Sequence, residues 1–161
     1  MKRLYLALLL SFGCQNQADA ARKYVRTGDS YLMVLREGDD AFAHLRQLAI
    51  DEEIRGATFH GFGFGHAKFG YFDQQKKAYD EREVRDVELA GLRGSIAWQN
   101  GAPSLHAHAV ATDRTFAAQG GHLLGFQVGK GSLELSVELH HVALGRVRDE
   151  ALGANVLELP R

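Results

Sequence analysis

The chain has 161 residues, a length that suits one domain, and its apolar residues, at 45%, are enough to fill a single core. Its formal net charge is −1 with the histidines neutral, so no overall basic field would attract a polyanion such as nucleic acid. Glycine is abundant, at 18 residues, and proline is scarce, at 2. This combination favours strands, tight turns and close backbone contacts, and it excludes a proline-rich or disordered chain.

The first twenty residues are typical of a targeting segment. Lys2 and Arg3 give a positive start, residues 4–12 form a short apolar run, and Ala-Asp-Ala at 18–20 is the small-residue pattern that signal peptidase requires. The apolar run is too short for a permanent membrane-spanning helix. We therefore predict a signal peptide over residues 1–20 and an exported, periplasmic mature protein.

Two alternatives to this interpretation stay open. Cys14 follows Gly13 after the hydrophobic run, an arrangement similar to a lipoprotein cleavage site, and lipidation there would attach the protein to a membrane. A mis-assigned start codon in front of a cytoplasmic domain would also account for the segment. Cleavage after Ala20 would remove the single cysteine, so the mature chain would have no disulfide or thiol chemistry.

The first predicted elements after the targeting segment are a strand and a helix. Tyr31–Arg36 is a short apolar run of strand-forming residues. An acidic turn at 38–40 then supplies a cap, and apolar residues at three- and four-residue spacing predict a helix from about Ala41 to Ile54. A second strand opens at Ala57 and continues through a glycine-alternating stretch to Phe72.

The rest of the chain predicts strands joined by short turns. Asn100-Gly101 is the strongest hairpin signal, and the polar residues 73–77 predict a second hairpin turn. The remaining predicted strands are 87–92, 94–98, 105–111, 122–128 and 133–144. The fold class is therefore α+β, with a largely antiparallel central sheet of about seven strands and one main helix.

The segment Ser104–Val110 carries the most informative motif. Because alternate residues of a strand share a face, His106 and His108 point the same way. Gly-Gly-His at 120–122 places a third imidazole, that of His122, near the start of the next predicted strand. If the two strands pair as antiparallel neighbours, all three rings reach one point.

Three neutral imidazoles suit Zn²⁺, and also divalent Ni, Co or Fe. Three protein ligands leave at least one coordination position open, as in catalytic metal centres rather than in closed structural ones. The alternative is that the His-x-His pair is an exposed strand face and His122 a turn residue, because His-x-His is a weak signal by itself.

Several further motifs follow one another in order along the chain. Pro-x-Leu-His-Ala-His at 103–108 is followed by Asp-Arg at 113–114 and by Gly-Gly-His-Leu at 120–123. A spaced glycine pair and Tyr-Phe-Asp precede them at 61–73, and Val-Glu-Leu begins at residue 87. This series resembles the PPC (plants and prokaryotes conserved) domain family, and the likeness covers residues 27–159.

The resemblance implies a compact α+β fold with a central antiparallel sheet, usually assembled as a homotrimer. It also implies that His106, His108 and His122 are metal ligands, typically for zinc. It assigns no catalytic residue and no settled activity. Residues that match other family motifs are candidates for lining a ligand pocket: Gly61, Gly63, Glu88 and Glu134.

Three functions follow, in order of preference. The first is a metal-dependent enzyme or a binder of a small-molecule ligand. The second is a non-catalytic, trimeric assembly module in which the ion is structural or incidental. The third is DNA binding, as in plant relatives that carry AT-hook segments. We rank it last because the net charge is near zero and the sequence has no Arg-Gly-Arg-Pro core.

Overall fold

The structure, a computed structural model, describes residues 22–160, so the predicted signal peptide and Cys14 lie outside the described residues. No helix in this part of the chain is long and apolar enough to cross a membrane. The predicted fold class is confirmed: residues 22–160 contain one helix, α1 (Ala41–Asp51), and a largely antiparallel sheet of eight strands. The strands are β1 (Tyr24–Arg26), β2 (Ser30–Arg36), β3 (Ala57–Asp73), β4 (Ala78–Gln99), β5 (Ala102–Thr112), β6 (Ala118–Leu139), β7 (Gly145–Asp149) and β8 (Ala154–Glu158).

The strands lie in the order β1-β2-β6-β3-β4-β7-β8, and β5 pairs with both β4 and β6. As a result β3, β4, β5 and β6 form a closed circuit in which each strand is hydrogen-bonded to two others of the four. Every pairing is antiparallel except that of β4 with β7, which is parallel and consists of Trp98 opposite Gly145. The circuit fixes the position of β5 from both sides.

Strands β4 and β6 are longer than the sequence predicts. The two strands predicted at 122–128 and 133–144 are joined in the single strand β6, which ends at Leu139 rather than at Leu144. One hydrogen bond continues beyond the strand end: the amide of His140 donates to the carbonyl oxygen of Gly56, at 2.9 Å. Register shifts in β3 between Gly61 and Gly63 allow the long strands to bend without breaking.

Helix α1 begins where the sequence predicts and ends three residues earlier. The side chain of Asp40 caps it by accepting a hydrogen bond from the amide of Ala43, at 2.8 Å. The helix ends at Asp51 rather than at Ile54 because Glu53 adopts a left-handed backbone conformation, with φ of 51°. Its apolar face is buried in the core, through Ala41, Phe42, Leu45, Leu48 and Ala49.

The core determines which face of β5 is free to carry polar groups. Ala107, Ala109 and Ala111 are buried against it. Because side chains alternate along a strand, the residues between these alanines point away from the core. His106, His108 and Val110 are exposed on this outer face, and the two histidines are its polar members.

Candidate metal centre

The three predicted histidines lie together on the outer face of the sheet. His108 on β5 is directly opposite His122 on β6, and His106 lies two residues earlier on the same face. The ring centroids are 4.9–5.2 Å apart. One nitrogen from each ring lies within 4.8 Å of the others. The structure thus brings all three imidazoles to one point, as the strand pattern indicates.

The glycine doublet before His122 is required by the backbone. A Cβ atom at Gly120 would lie 2.5 Å from the carbonyl oxygen of Ala109, so any side chain there would push β6 away from β5. Gly121 has φ of 152°, a conformation that residues with side chains rarely adopt. The two glycines together let β6 approach β5 closely enough for the rings to meet.

The ligand set fits a divalent transition metal. Two imidazole nitrogens that bind one zinc ion at about 2.0–2.1 Å can be at most about 4.2 Å apart. The separations here are within 4.8 Å, so only small rotations of the rings are needed to close them on an ion. In the part of the chain that the structure describes, no carboxylate belongs to this cluster.

The cluster favours the neutral imidazoles that a metal needs. Loss of hydration, together with the adjacent His106 and His108, lowers the pKa of His122 to about 4. The pKa of His106 is also lowered, first by desolvation and then by Arg146 and His108. Both rings are therefore deprotonated at neutral pH, which is the state that coordinates metal ions.

An aromatic residue that sequence analysis did not single out covers one side of the cluster. The ring of Tyr79, on β4, stacks on His122 with centroids 4.7 Å apart and planes 24° apart. Phe72 packs edge-on against Tyr79 at 5.2 Å, and burial raises the pKa of the Tyr79 hydroxyl. This packing restricts the orientation of the His122 ring.

Comparison with known proteins identifies the fold. The family model of the Plants and Prokaryotes Conserved (PCC) domain matches residues 22–138. The chain belongs to this family. The predicted resemblance is confirmed, and the matched region contains all three histidines.

Several solved structures are similar to this chain over most of its length. A Ralstonia eutropha protein proposed to bind DNA is 50% identical, with a TM-score of 0.83, over 86% of this chain and 96% of its own. A PPC protein of Pyrococcus horikoshii is 26% identical, with a TM-score of 0.74, over 86% and 94%. A metal-containing protein of Archaeoglobus fulgidus is 26% identical, with a TM-score of 0.72, over 83% and 96%. A comparison with curated proteins finds no match.

Two hollows open beside the histidines of this PCC domain. The larger, of about 570 Å³, lies against all three rings and also contacts Asp80 and Arg82. The smaller, of about 360 Å³, lies against His106, His122 and Arg146. Tyr79 lines both, so a ligand in either hollow would be next to the cluster.

The four residues predicted to line a ligand pocket lie away from the histidine cluster. Glu88 is exposed and lines a separate cavity of about 580 Å³, and Glu134 is exposed on β6. A Cβ atom at Gly61 would overlap the carbonyl oxygen of Glu134, and one at Gly63 would overlap that of Ser132. These two glycines hold β3 close to β6, and none of the four residues lines the hollows at the histidines.

Proposed function

We propose that this PCC-domain protein binds one divalent transition-metal ion, expected to be zinc, through His106, His108 and His122. The observation that carries the proposal is the convergence of three imidazoles from two paired strands, with nitrogens within 4.8 Å of one another. The lowered pKa of His122 supports it, because the neutral ring is ready to coordinate. The similarity to a metal-containing archaeal protein agrees with it.

Three protein ligands leave the ion open to a further ligand, which favours a functional rather than a closed structural site. In that position a bound metal supplies Lewis-acid chemistry: it polarises a carbonyl or phosphoryl oxygen or makes water more acidic. The chain itself contributes the stacking of Tyr79, which orients His122, and the two hollows, which give a small molecule access. We therefore propose a small-ligand binder with the capacity for metal-dependent catalysis.

Elemental analysis of the purified protein tests the metal site. We expect about one equivalent of metal per wild-type chain and almost none in the variant His106→Ala/His108→Ala. The control His60→Ala/His141→Ala also removes two histidines, but both are exposed and lie outside the cluster. Equal metal content in the two double variants, or a metal-free wild type that takes up no added zinc, would contradict the proposal.

We also propose that the protein is a homotrimer: apolar side chains on the outer face of the sheet support association of subunits, and the number three is what the family resemblance implies. Val25 and Leu32 are cross-strand partners and are 46% and 45% exposed. Phe62, on β3, is 59% exposed. Such side chains favour burial between subunits. In sedimentation experiments we therefore expect the wild type to behave as a trimer and the variant Leu32→Ser/Phe62→Ser to behave as a smaller species. Persistence of the trimer after metal removal would exclude an assembly role for the ion.

We also propose export, on the basis of the amino-terminal pattern alone. The purified cellular protein should begin at residue 21, as measured by intact mass. A lipid on Cys14 would favour the lipoprotein alternative. An unprocessed cytoplasmic chain would contradict both.

DNA binding is the least favoured function. It is suggested by the description of the Ralstonia relative. The formal net charge of −1 disfavours it, because non-specific DNA affinity depends on neutralising phosphates. A gel-shift assay at low salt with a random duplex should show no retained complex.

A further inference from the structure

Strand β7 adds basic side chains to the smaller hollow. Arg146 and Arg148 are two residues apart on this strand and share one face, opposite Val147. Lys77 reaches the same hollow from the end of the turn that precedes β4. None of the described residues that line it is an aspartate or glutamate. We call this hollow the basic pocket.

The guanidinium group of Arg146 is buried with an incomplete set of hydrogen bonds. Only 6% of this residue is exposed, and one guanidinium nitrogen donates a hydrogen bond to the Oγ of Ser95, at 2.7 Å. Its Nε has no hydrogen-bond partner within residues 22–160. A buried guanidinium without a counter-charge is energetically costly. An oxyanion bound in the pocket would supply the missing counter-charge.

The other two cations at the basic pocket are also poorly compensated. The Nζ of Lys77 donates to the backbone carbonyl oxygens of Glu150 and Ala151, at 2.9 and 3.1 Å, and these acceptors carry no net charge. The Nε of Arg148 lies 3.9 Å from a carboxylate oxygen of Glu150, in an exposed and therefore weak pair. The pocket is thus positive on a chain whose formal net charge is −1.

We propose that the basic pocket binds a small organic anion by its carboxylate or phosphate group, with Arg146 as the anchor. A volume of about 360 Å³ is near the lower end of small-molecule sites, which are about 300–1,000 Å³. His106 and His122 line the same pocket, so the rest of the ligand faces the histidine cluster. Only this orientation towards the ion rests on the proposed metal site, because the anchor itself needs no metal.

Calorimetric titration of the metal-free protein tests the anchor. The probes are inorganic phosphate and succinate, which separate the two kinds of oxyanion. We expect at least one probe to bind the wild type and to bind Arg146→Met at least tenfold more weakly, because the substitution removes the charged fork. Arg36→Met removes an exposed arginine of β2, and its affinity should equal that of the wild type. The zinc content of Arg146→Met should be unchanged.

The outcomes separate the two proposals. Equal probe affinity in the wild type and Arg146→Met overturns the anion site, as does the absence of binding by both probes or binding of a DNA duplex alone. A wild type without metal that still binds a probe through Arg146 refutes the metal site and supports the anion site. If Arg146→Met does not fold by circular dichroism, Lys77→Met/Arg148→Met replaces it, and unchanged affinity in that variant overturns the proposal.

Discussion

The two hairpins that border the histidines are built differently. The β5–β6 hairpin carries the three histidines, lies within the matched family region and has β4 along one side of β5. The β7–β8 hairpin carries Arg146, lies beyond residue 138, and joins β4 through a single parallel pairing at Trp98. The proposed ion site therefore lies within the region that the family model matches, whereas the proposed anion contact lies on the hairpin that follows it.

Glycine substitutions in the two hairpins should have unequal effects. Gly120→Ala forces a Cβ against the backbone oxygen of Ala109, so we expect a loss of about 2–3 kcal/mol of unfolding free energy and weaker metal binding. Gly153→Ala, in β7–β8, meets only the flexible side chain of Lys77 and should cost about 1 kcal/mol, with metal binding retained. Gly125→Ala meets no atom within 4 Å and is the neutral control. Denaturant unfolding measures the stability of all three variants. Equal losses of unfolding free energy in Gly120→Ala and Gly153→Ala would contradict the expected difference between the two hairpins.

The pH dependence of the metal-free protein should report on the β5–β6 hairpin. The pKa of His122 is about 4 in the folded state, below its unfolded value of about 6.5. Below pH about 6.5 the unfolded chain therefore takes up a proton that the folded chain resists, and stability falls as the pH drops towards 4. We expect a loss of ~2 kcal/mol, after allowance for the partial exposure of the ring.

Denaturant titrations between pH 7.5 and pH 4 measure this loss. His122→Gln should flatten the profile, because the titrating ring is gone. His141→Gln, which changes an exposed residue outside the cluster, should keep the slope. An unchanged slope in His122→Gln would show that other groups set the pH dependence.

The smallest effect is expected for the stacking residue. Tyr79→Ala removes the ring that packs on His122 and should weaken zinc binding by up to about tenfold, because supporting residues orient metal ligands. Tyr79→Phe keeps the ring and should bind zinc like the wild type. Competition with a chromophoric chelator measures both affinities. Equal weakening in both variants would assign the effect to the hydroxyl group instead of to stacking.

Local patterns indicated the histidine cluster, and the resemblance to the PPC family added the assignment of the three histidines as one ligand set. Strand alternation puts His106 and His108 on one face, and the glycine doublet before His122 marks the close approach of β6. Both signals lie in neighbouring residues, and the turn that joins the two strands is short. The same locality explains why the helix start and the antiparallel sheet are also predicted.

The missed features depend on contacts between distant parts of the chain. Strands β1, β7 and β8 are short and partly charged, and so lack the apolar alternation that indicates a strand. Arg146 lies next to the histidines only because β7 pairs with β4, a parallel contact that no local motif predicts. Tyr79 likewise needs the circuit of strands to place it beside His122. Glu88 and Glu134, in contrast, match family motifs, but Glu88 lines a separate cavity and Glu134 is exposed on β6.

The placement of all three imidazoles on one hairpin has a consequence for the order of folding. The strands that carry them are separated only by a short turn, and hairpins of this kind form within microseconds. The pairing of Ala57 with Leu139, and the contact of Arg146 with Ser95 across 51 positions of the chain, are slower to form because long loops must first close. The proposed ion site would therefore form before the proposed anion site during folding.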